Sequence, residues 1–210
     1  MEDQLTVALA NLEESNVLAQ VNERLKAGHD PLAILKACQE GMIRVGKRYE
    51  TCEYFISDLM MAGEIFRQVA DLLTPKIKRS DAPSRGKVVI GTAKGDIHDI
   101  GKNLVVALLK AANYEVYDLG VDVPPERFVE VLKESGAPVL GLSALLTIAF
   151  DTMKQTVAAL DTAGIRKQVK VMIGGGPTTE ETVAYTGADA MGRDAQSAVT
   201  LCNQWIRASV

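Results

Sequence analysis

One short segment of the sequence, TAKGDIHDIGKN, combines residue types that can hold a metal. It contains His98, one of only two histidines in the chain, between Asp96 and Asp99. A neutral imidazole is a common metal ligand, and a nearby carboxylate that accepts the other ring N–H fixes the tautomer and makes the ring a better donor. Gly95 and Gly101 let a ligand approach the backbone closely. The plainer interpretation is that Asp96 caps the following helix and His98 is solvated.

Two further segments could complete a ligand site. In LSALLTI, Ser143 and Thr147 offer hydroxyl groups, although Ser143 could simply end a strand and Thr147 open the next helix. In GGGPTT, Gly174 to Gly176 leave a gap without side chains, where a flat ligand or its tail could lie against the backbone. A triple glycine can also be only a flexible turn. Neither GxxxxGK[ST] nor GxGxxG follows the first predicted strand, so nucleotide binding is the weaker hypothesis.

The composition excludes several classes of protein. A formal net charge of -4 argues against a non-specific nucleic-acid binder, which normally carries a basic patch. The scattered Cys38, Cys52 and Cys202 form no CxxC pair, so they indicate neither a zinc site nor a disulfide framework. The sequence has no apolar run long enough for a membrane span and no signal peptide. We therefore expect a cytoplasmic protein with reduced cysteines and no nucleic-acid or membrane partner.

The first part of the chain has helical periodicity. Leu5 and Leu9 share one helical face, and Val17 and Val21 continue this spacing. The run GHDP ends one helix and begins another, since glycine suits the end of a helix and proline its first turn. The pattern predicts a bundle of four helices, at about residues 3–12, 14–27, 31–50 and 54–77.

A polar stretch at residues 78–86 reads as a linker, and strands and helices alternate after it. Near-continuous apolar strands that alternate with helices predict a parallel sheet covered on both faces. We expect an α/β domain with five strands in the flavodoxin-like order 2-1-3-4-5, whose ligands bind beyond the carboxyl ends of the strands. The predicted domains are therefore residues 1–80, a helical cap, and residues 87–210, an α/β domain that brings the three ligand loops to one edge.

These loops carry the motifs of a known family. The pattern DxHxxG, then SxL, then GG resembles the B12-binding domains of cobalamin proteins, and it occurs here in the same order. The resemblance implies a cobalamin cofactor with His98 as the ligand of cobalt. It implies cofactor contacts by Gly95, Asp96, Ile97, His98, Asp99, Ile100, Gly101, Ser143, Leu145, Thr147, Gly174, Gly175, Gly176 and Asp194.

The N-terminal helices extend the resemblance to nearly the whole chain. Methionine-synthase-like and other corrinoid proteins place such a bundle before the B12 domain, as a cap over the cobalt. The segments GKRY and YFI are similar to the cap segment, so Tyr49 and Ile56 would lie over the methyl group. Tyr49 stands where methionine synthase usually has phenylalanine. For Ile56, a place in the core of the bundle is the competing interpretation.

The resemblance also implies how cobalt would be tuned. The cofactor's own benzimidazole would leave cobalt and thread toward Gly174 to Gly176, and His98 would take the lower axial position, a base-off and His-on state. Asp96 would hydrogen-bond His98, and Ser143 would hydrogen-bond Asp96. Proton uptake by this relay would weaken ligation and favour cob(I)alamin over methylcobalamin, with the proton shared by the network.

A chain of this length is similar to the stand-alone corrinoid proteins of three-component methyltransferase systems. These carry methyl groups and are not catalysts alone. One methyltransferase loads them from methylamines, methanol or methoxy-aromatic compounds, and another unloads them to tetrahydrofolate, a pterin or coenzyme M. A reductive activase is a further expected partner. The alternatives are the small subunit of an adenosylcobalamin mutase, a B12-dependent regulator and a B12 storage module.

Overall fold

The computed structural model describes residues 3–76 and 84–207. The chain divides into two compact units, Met1–Lys78 and Arg79–Val210. Most of the predicted linker lies outside the described residues.

The N-terminal unit is a bundle of helices, as the sequence predicts. Its helices are α1 (Gln4–Ala10), α2 (Glu14–Lys26), α3 (Pro31–Glu50) and α4 (Ile56–Leu73), and a 3-10 turn at Thr74–Lys76 follows α4. The predicted start of α3 is confirmed: Asp30 caps the helix by accepting a hydrogen bond from the Leu32 amide at 3.1 Å, and Pro31 is the first helical residue.

Apolar side chains from all four of these helices form the core of the bundle. The helical face predicted from the first two helices is fully buried, together with residues of α3 and α4; the set includes Leu5, Leu9, Val17, Val21, Ile34, Leu35, Val45, Ile65, Val69 and Leu73. Cys38 belongs to the same core, and burial raises the pKa of its thiol to about 12. This cysteine is therefore a small apolar residue of the core.

The C-terminal unit is built on a parallel sheet in the predicted order β2-β1-β3-β4-β5. The strands are β1 (Lys87–Thr92), β2 (Glu115–Asp118), β3 (Val139–Ser143), β4 (Lys170–Gly174) and β5 (Ala190–Gly192). The register pairs Thr92 with Ser143, Ser143 with Gly174, and Gly174 with Gly192. Four strands therefore end in one row, and the loops that follow them start side by side.

Helices cover both faces of this sheet, because neighbouring residues of each strand point to opposite faces. They are α5 (Ile100–Ala111), α6 (Pro125–Ser135), α7 (Phe150–Thr162), α8 (Glu180–Thr186) and α9 (Ala195–Arg207). On one face, Val89 packs in a core with Phe128 of α6 and Met153 of α7. On the other face, Val88 packs with Leu109 of α5 and Cys202 of α9.

The sequence interpretation omitted helix α8. It has only seven residues, too few for an apolar periodicity to stand out. Its end signals are nevertheless present: Thr179 caps it by accepting from the Thr182 amide, and Gly187 ends it with a φ of 74°. None of the helices in the described residues is long and apolar enough to cross a membrane.

Candidate functional site

The loop between β1 and α5 holds a carboxylate that has no exposed surface. The Asp96 side chain is completely buried. Its Oδ1 accepts hydrogen bonds from the His98 amide at 2.9 Å and from His98 Nδ1 at 2.6 Å. Its Oδ2 accepts from the amides of Leu145 and Leu146 at 2.6 and 2.8 Å. Both oxygens are thus satisfied by two different loops, which compensates for the loss of water.

These hydrogen bonds keep Asp96 ionised. Burial acts to raise the pKa of this carboxyl group, because it penalises the charged form, but the hydrogen bonds from His98, Leu146 and Leu145 outweigh burial and hold the pKa below its usual value. An ionised carboxylate only accepts hydrogen bonds, so His98 Nδ1 carries the proton. The lone pair of the ring then lies on Nε2, which is the nitrogen that can bind a metal.

His98 presents that nitrogen at the edge of the sheet where the strands end. About half of its side-chain surface, 49%, is exposed, and its Nε2 has no hydrogen-bond partner among residues 84–207. The hydroxyl of the buried Thr92 donates to the His98 carbonyl oxygen at 3.0 Å and fixes the backbone. The described residues contain no group of three or more potential metal-binding side chains. His98 therefore offers a metal one nitrogen donor, Nε2.

The two loops that meet at Asp96 carry exposed apolar side chains. Ile97 is 72% exposed and Ile148 is 75% exposed, and Leu145 and Leu146 are also exposed. They lie on the loops after β1 and β3, which start next to each other in the sheet. Exposed apolar side chains on these two loops, one of which also carries the donor nitrogen, suit a ligand with a large apolar face.

The predicted hydrogen bond between Ser143 and Asp96 is wrong. Both Asp96 oxygens are taken by His98 and by the two leucine amides. Ser143 instead contributes its carbonyl oxygen, which accepts from the Ala93 amide at 3.0 Å. The loop turns immediately after β3, so that its backbone N–H groups, not the serine hydroxyl, reach the carboxylate. A backbone amide cannot pass a proton on as a hydroxyl can, so no relay leads from Ser143 to Asp96.

The glycines of the predicted site fall into two groups. Gly175 has a φ of 139°, and a Cβ atom there would lie 1.7 Å from the carbonyl oxygen of Ala144. Its lack of a side chain is therefore required by the contact between the loops after β3 and β4, without any ligand. Gly174 and Gly176 meet milder limits, Gly192 O at 3.4 Å and the end of the Leu145 side chain at 3.3 Å.

Gly101 is different, because the fold does not require it. It lies in the first turn of α5 with an ordinary helical φ, and a Cβ atom there would meet no other atom within 4 Å. Glycine lowers helix stability, so its presence in an open place suggests that something outside the chain approaches. The open space at Gly101, the half-exposed His98 side chain and the exposed apolar side chains of the two loops together fit a large metal-bearing cofactor.

The remaining predicted cofactor contacts of the C-terminal unit lie at the starts of helices. Asp99 precedes α5 and accepts from the Asn103 side chain at 2.9 Å, and Ile100 is the first residue of that helix. Thr147 is exposed and opens a 3-10 turn, which agrees with its plainer interpretation. Asp194 accepts from the Ser197 amide at 2.7 Å, a contact that stabilises the start of α9.

The two predicted contacts of the N-terminal unit are both exposed. Ile56 is 67% exposed, so a place in the core of the bundle is excluded, and Tyr49 is 42% exposed. Arg48 fixes the turn before Ile56 by donating to the Ala10 carbonyl oxygen and to the Tyr54 hydroxyl, both at 2.7 Å. The exposed Phe55 lies beside Ile56 on the same turn.

Sequence reasoning missed three residues that shape the site. Leu146 supplies an amide to Asp96, and Thr92 holds the His98 carbonyl. Asp122, in the loop after β2, accepts from the Gly95 amide. Asp122 could have been found from the sequence, since it is a carboxylate four residues after the end of the parallel strand β2.

Comparisons with known proteins show the family of the chain. A family model described as a B12 binding domain matches residues 86–200, and a second model with the same description matches residues 1–74. A trimethylamine corrinoid protein of Methanosarcina barkeri is 37% identical over 195 residues, which are 91% of this chain and 90% of the relative.

Two solved structures are also similar. The monomethylamine corrinoid protein of Methanosarcina barkeri has 33% identity, a TM-score of 0.88 and 97% coverage of both chains. A methanol:cobalamin methyltransferase complex from the same organism contains a chain with 28% identity and a TM-score of 0.57, with coverage of 97% of this chain and 78% of that one.

Replacement of Gly175 by alanine tests the structural role of the glycine loop. We expect Gly175→Ala to lower the free energy of unfolding by more than about 2 kcal/mol, because the new Cβ collides with a backbone oxygen and the φ is strained. Urea unfolding without cofactor measures the change. The matched control is Gly176→Ala, whose Cβ meets only a flexible side-chain end and should cost less than about 1 kcal/mol. Equal stabilities for the two variants would contradict this role.

Replacement of Gly101 by alanine should have opposite effects on stability and binding. Gly101→Ala should stabilise the cofactor-free protein by about 0.5 kcal/mol, since alanine favours the helix and meets no neighbour. The Kd for hydroxocobalamin should rise by about tenfold or more, because the methyl group fills space needed by the ligand. Thermal unfolding and equilibrium titration give the two values. An unchanged Kd together with increased stability would show that the gap serves no ligand.

Proposed function

Because the chain belongs to the family of corrinoid proteins with B12 binding domains, we propose that it carries methyl groups on cobalamin from a methylamine-specific methyltransferase to a second methyltransferase. It binds cobalamin and acts as a methyl carrier in a methyltransferase system. The observation that carries the mechanistic part of the proposal is His98, held by the buried Asp96 with Nε2 free at the edge of the sheet.

The residues of the C-terminal unit fit the cofactor. His98 Nε2 would be the lower axial ligand, with the cofactor's own base displaced. Ile97, Leu145 and Ile148 would contact the apolar parts of the ring, and Gly101 would leave room for it. The bound cobalt supplies the chemistry, since it accepts the methyl group and gives it up again.

Asp96 determines the protonation of His98 in this proposal. It holds the single ring proton at Nδ1 and keeps Nε2 as a neutral donor. The leucine amides stabilise the carboxylate and offer no path for a proton. The pair therefore exchanges protons through the exposed imidazole, rather than through Ser143 as the family pattern implied.

The N-terminal unit supports a methyl carrier over an adenosylcobalamin mutase subunit. Residues 1–74 match a B12 binding domain model of their own, and small mutase subunits generally lack such a helical unit. The exposed Tyr49 and Ile56 remain proposed contacts on the methyl side of the cofactor. A reductive activase is part of the proposal as a third partner.

A methyl-transfer assay tests the function. The chain, loaded with cob(I)alamin under reducing conditions, is mixed in turn with trimethylamine-, dimethylamine-, monomethylamine- and methanol-specific methyltransferases and the matching donor. We expect methylcobalamin to form with a methylamine enzyme, because proteins named for these amines are 37% and 33% identical to the chain. If only the methanol-specific methyltransferase methylates the cofactor, the donor is methanol and not a methylamine. Methylation with none of them would favour a storage module, and selective retention of adenosylcobalamin would favour a mutase subunit.

The axial ligand can be identified by isotope labelling. Protein grown with nitrogen-15 histidine and loaded with cob(II)alamin should show an EPR splitting that changes from a triplet to a doublet, because the nuclear spin of nitrogen-15 is one half whereas that of nitrogen-14 is one. His98→Ala should remove this effect, and His29→Ala is the matched control that should retain it. An EPR splitting that stays the same with nitrogen-15 histidine would mean that the cofactor's own base, and not His98, binds cobalt.

A further inference from the structure

The loop between β2 and α6 is hydrogen-bonded to the loop that carries His98. On the strand side, the Thr92 amide donates to the Gly120 carbonyl at 2.9 Å, and the Val123 amide donates to the Thr92 carbonyl at 3.0 Å. The Lys94 amide then donates to the Val123 carbonyl at 2.9 Å. The two loops therefore continue the pairing of β1 and β2 beyond the ends of these strands.

Asp122 extends this pairing to Gly95 and Asp96. Its amide donates to the Asp96 carbonyl oxygen at 3.0 Å, and its Oδ1 accepts from the Gly95 amide at 2.8 Å. A single residue thus holds the peptide groups on both sides of the Gly95–Asp96 pair. Asp122 itself has a φ of 53°, a left-handed conformation that aspartate, asparagine and glycine adopt most readily.

Gly95 is spanned by one other backbone hydrogen bond, in which the Asp96 amide donates to the Ala93 carbonyl oxygen at 3.1 Å. Its φ is 92°, a conformation that glycine adopts freely, and no atom lies within 4 Å of the place where its Cβ would be. The Asp96 carboxylate extends from the next residue and orients the His98 ring. A rotation at Gly95 would therefore move the carboxylate relative to Nδ1, and the Asp122 hydrogen bond opposes this rotation.

We infer that Asp122 is a positioning residue that fixes the Gly95–Asp96 backbone and thereby sets the tautomer and direction of His98. This inference rests on the proposed role of His98 as the cobalt ligand. It assigns the loop after β2 a part in tuning the cofactor, although Asp122 contacts neither the His98 ring nor any metal.

Three substitutions separate the hydrogen bond from charge and backbone strain. Asp122→Asn keeps the acceptor oxygen and the left-handed preference but removes the charge. Asp122→Gly removes the acceptor and relieves strain, and Asp122→Ala removes the acceptor and adds strain. Glu126→Ala is the matched control, because it removes an exposed carboxylate near the same loop.

The first readout needs no cofactor. NMR of the histidine ring nitrogens in the free protein, at a pH where the imidazole is neutral, reports the tautomer of His98, with His29 as internal reference. We expect wild type, Asp122→Asn and Glu126→Ala to hold the Nδ1–H form, and Asp122→Gly and Asp122→Ala to populate both tautomers. Their Gly95 amides should also exchange with solvent faster.

The second readout uses cob(II)alamin bound to protein labelled with nitrogen-15 histidine. In Asp122→Gly and Asp122→Ala, the fraction of cobalt with a histidine splitting should fall, and the Kd should rise about three- to tenfold, the typical effect of losing one hydrogen bond. Asp122→Asn should restore wild-type values. If Asp122→Gly matches wild type in tautomer and splitting, the inference is wrong. If wild-type protein itself lacks the histidine splitting, the proposed function of His98 fails instead.

Discussion

A carboxylate without access to water needs a hydrogen-bond donor on each oxygen, and the site is organised around Asp96 for this reason. Its donors come from two loops, the one that contains it and the one after β3. These loops can meet because β1 and β3 are neighbours and end in register at Thr92 and Ser143. The orientation of His98 follows from the same carboxylate. The sheet topology, the closure of the two loops and the free Nε2 are thus parts of one arrangement.

Some glycines near this edge of the sheet are required by the fold, and others are left available for ligand binding. Gly175 is fixed by the fold, since any side chain would strike Ala144. Gly101 is unconstrained by the fold and carries a cost in helix stability. The sequence alone does not distinguish Gly175 from Gly101. The atoms near the place where a Cβ would lie do distinguish them, because only Gly175 would collide with a neighbour. Gly175, the middle residue of Gly174–Gly176, is therefore weaker evidence for a bound ligand than Gly101 is.

Periodicity was enough to predict most of the fold. The helices of the bundle and the strands of the sheet follow from apolar spacing, and the strand order follows from the alternation of strands and helices, which is typical of a flavodoxin-like fold. Helix α8 was missed since it is shorter than two periods of the apolar pattern. In the site, the contact between Asp96 and His98 was predictable from two-residue spacing. The partners of the second Asp96 oxygen were not, because they are backbone amides whose direction depends on the turn after Ser143.

The surroundings of His98 suggest how affinity and reactivity are kept separate. Burying apolar surface gives about 25 cal/mol per Å², so covering exposed side chains such as Ile97 and Ile148 would contribute several kcal/mol to cofactor binding. This contribution does not depend on the state of the metal. In the proposed function, the single nitrogen of His98 would then strengthen or weaken its bond to cobalt while the cofactor stays bound. A methyl carrier that serves two methyltransferases, as proposed, would need this separation, since both transfers change the bonding of cobalt while the protein keeps the cofactor.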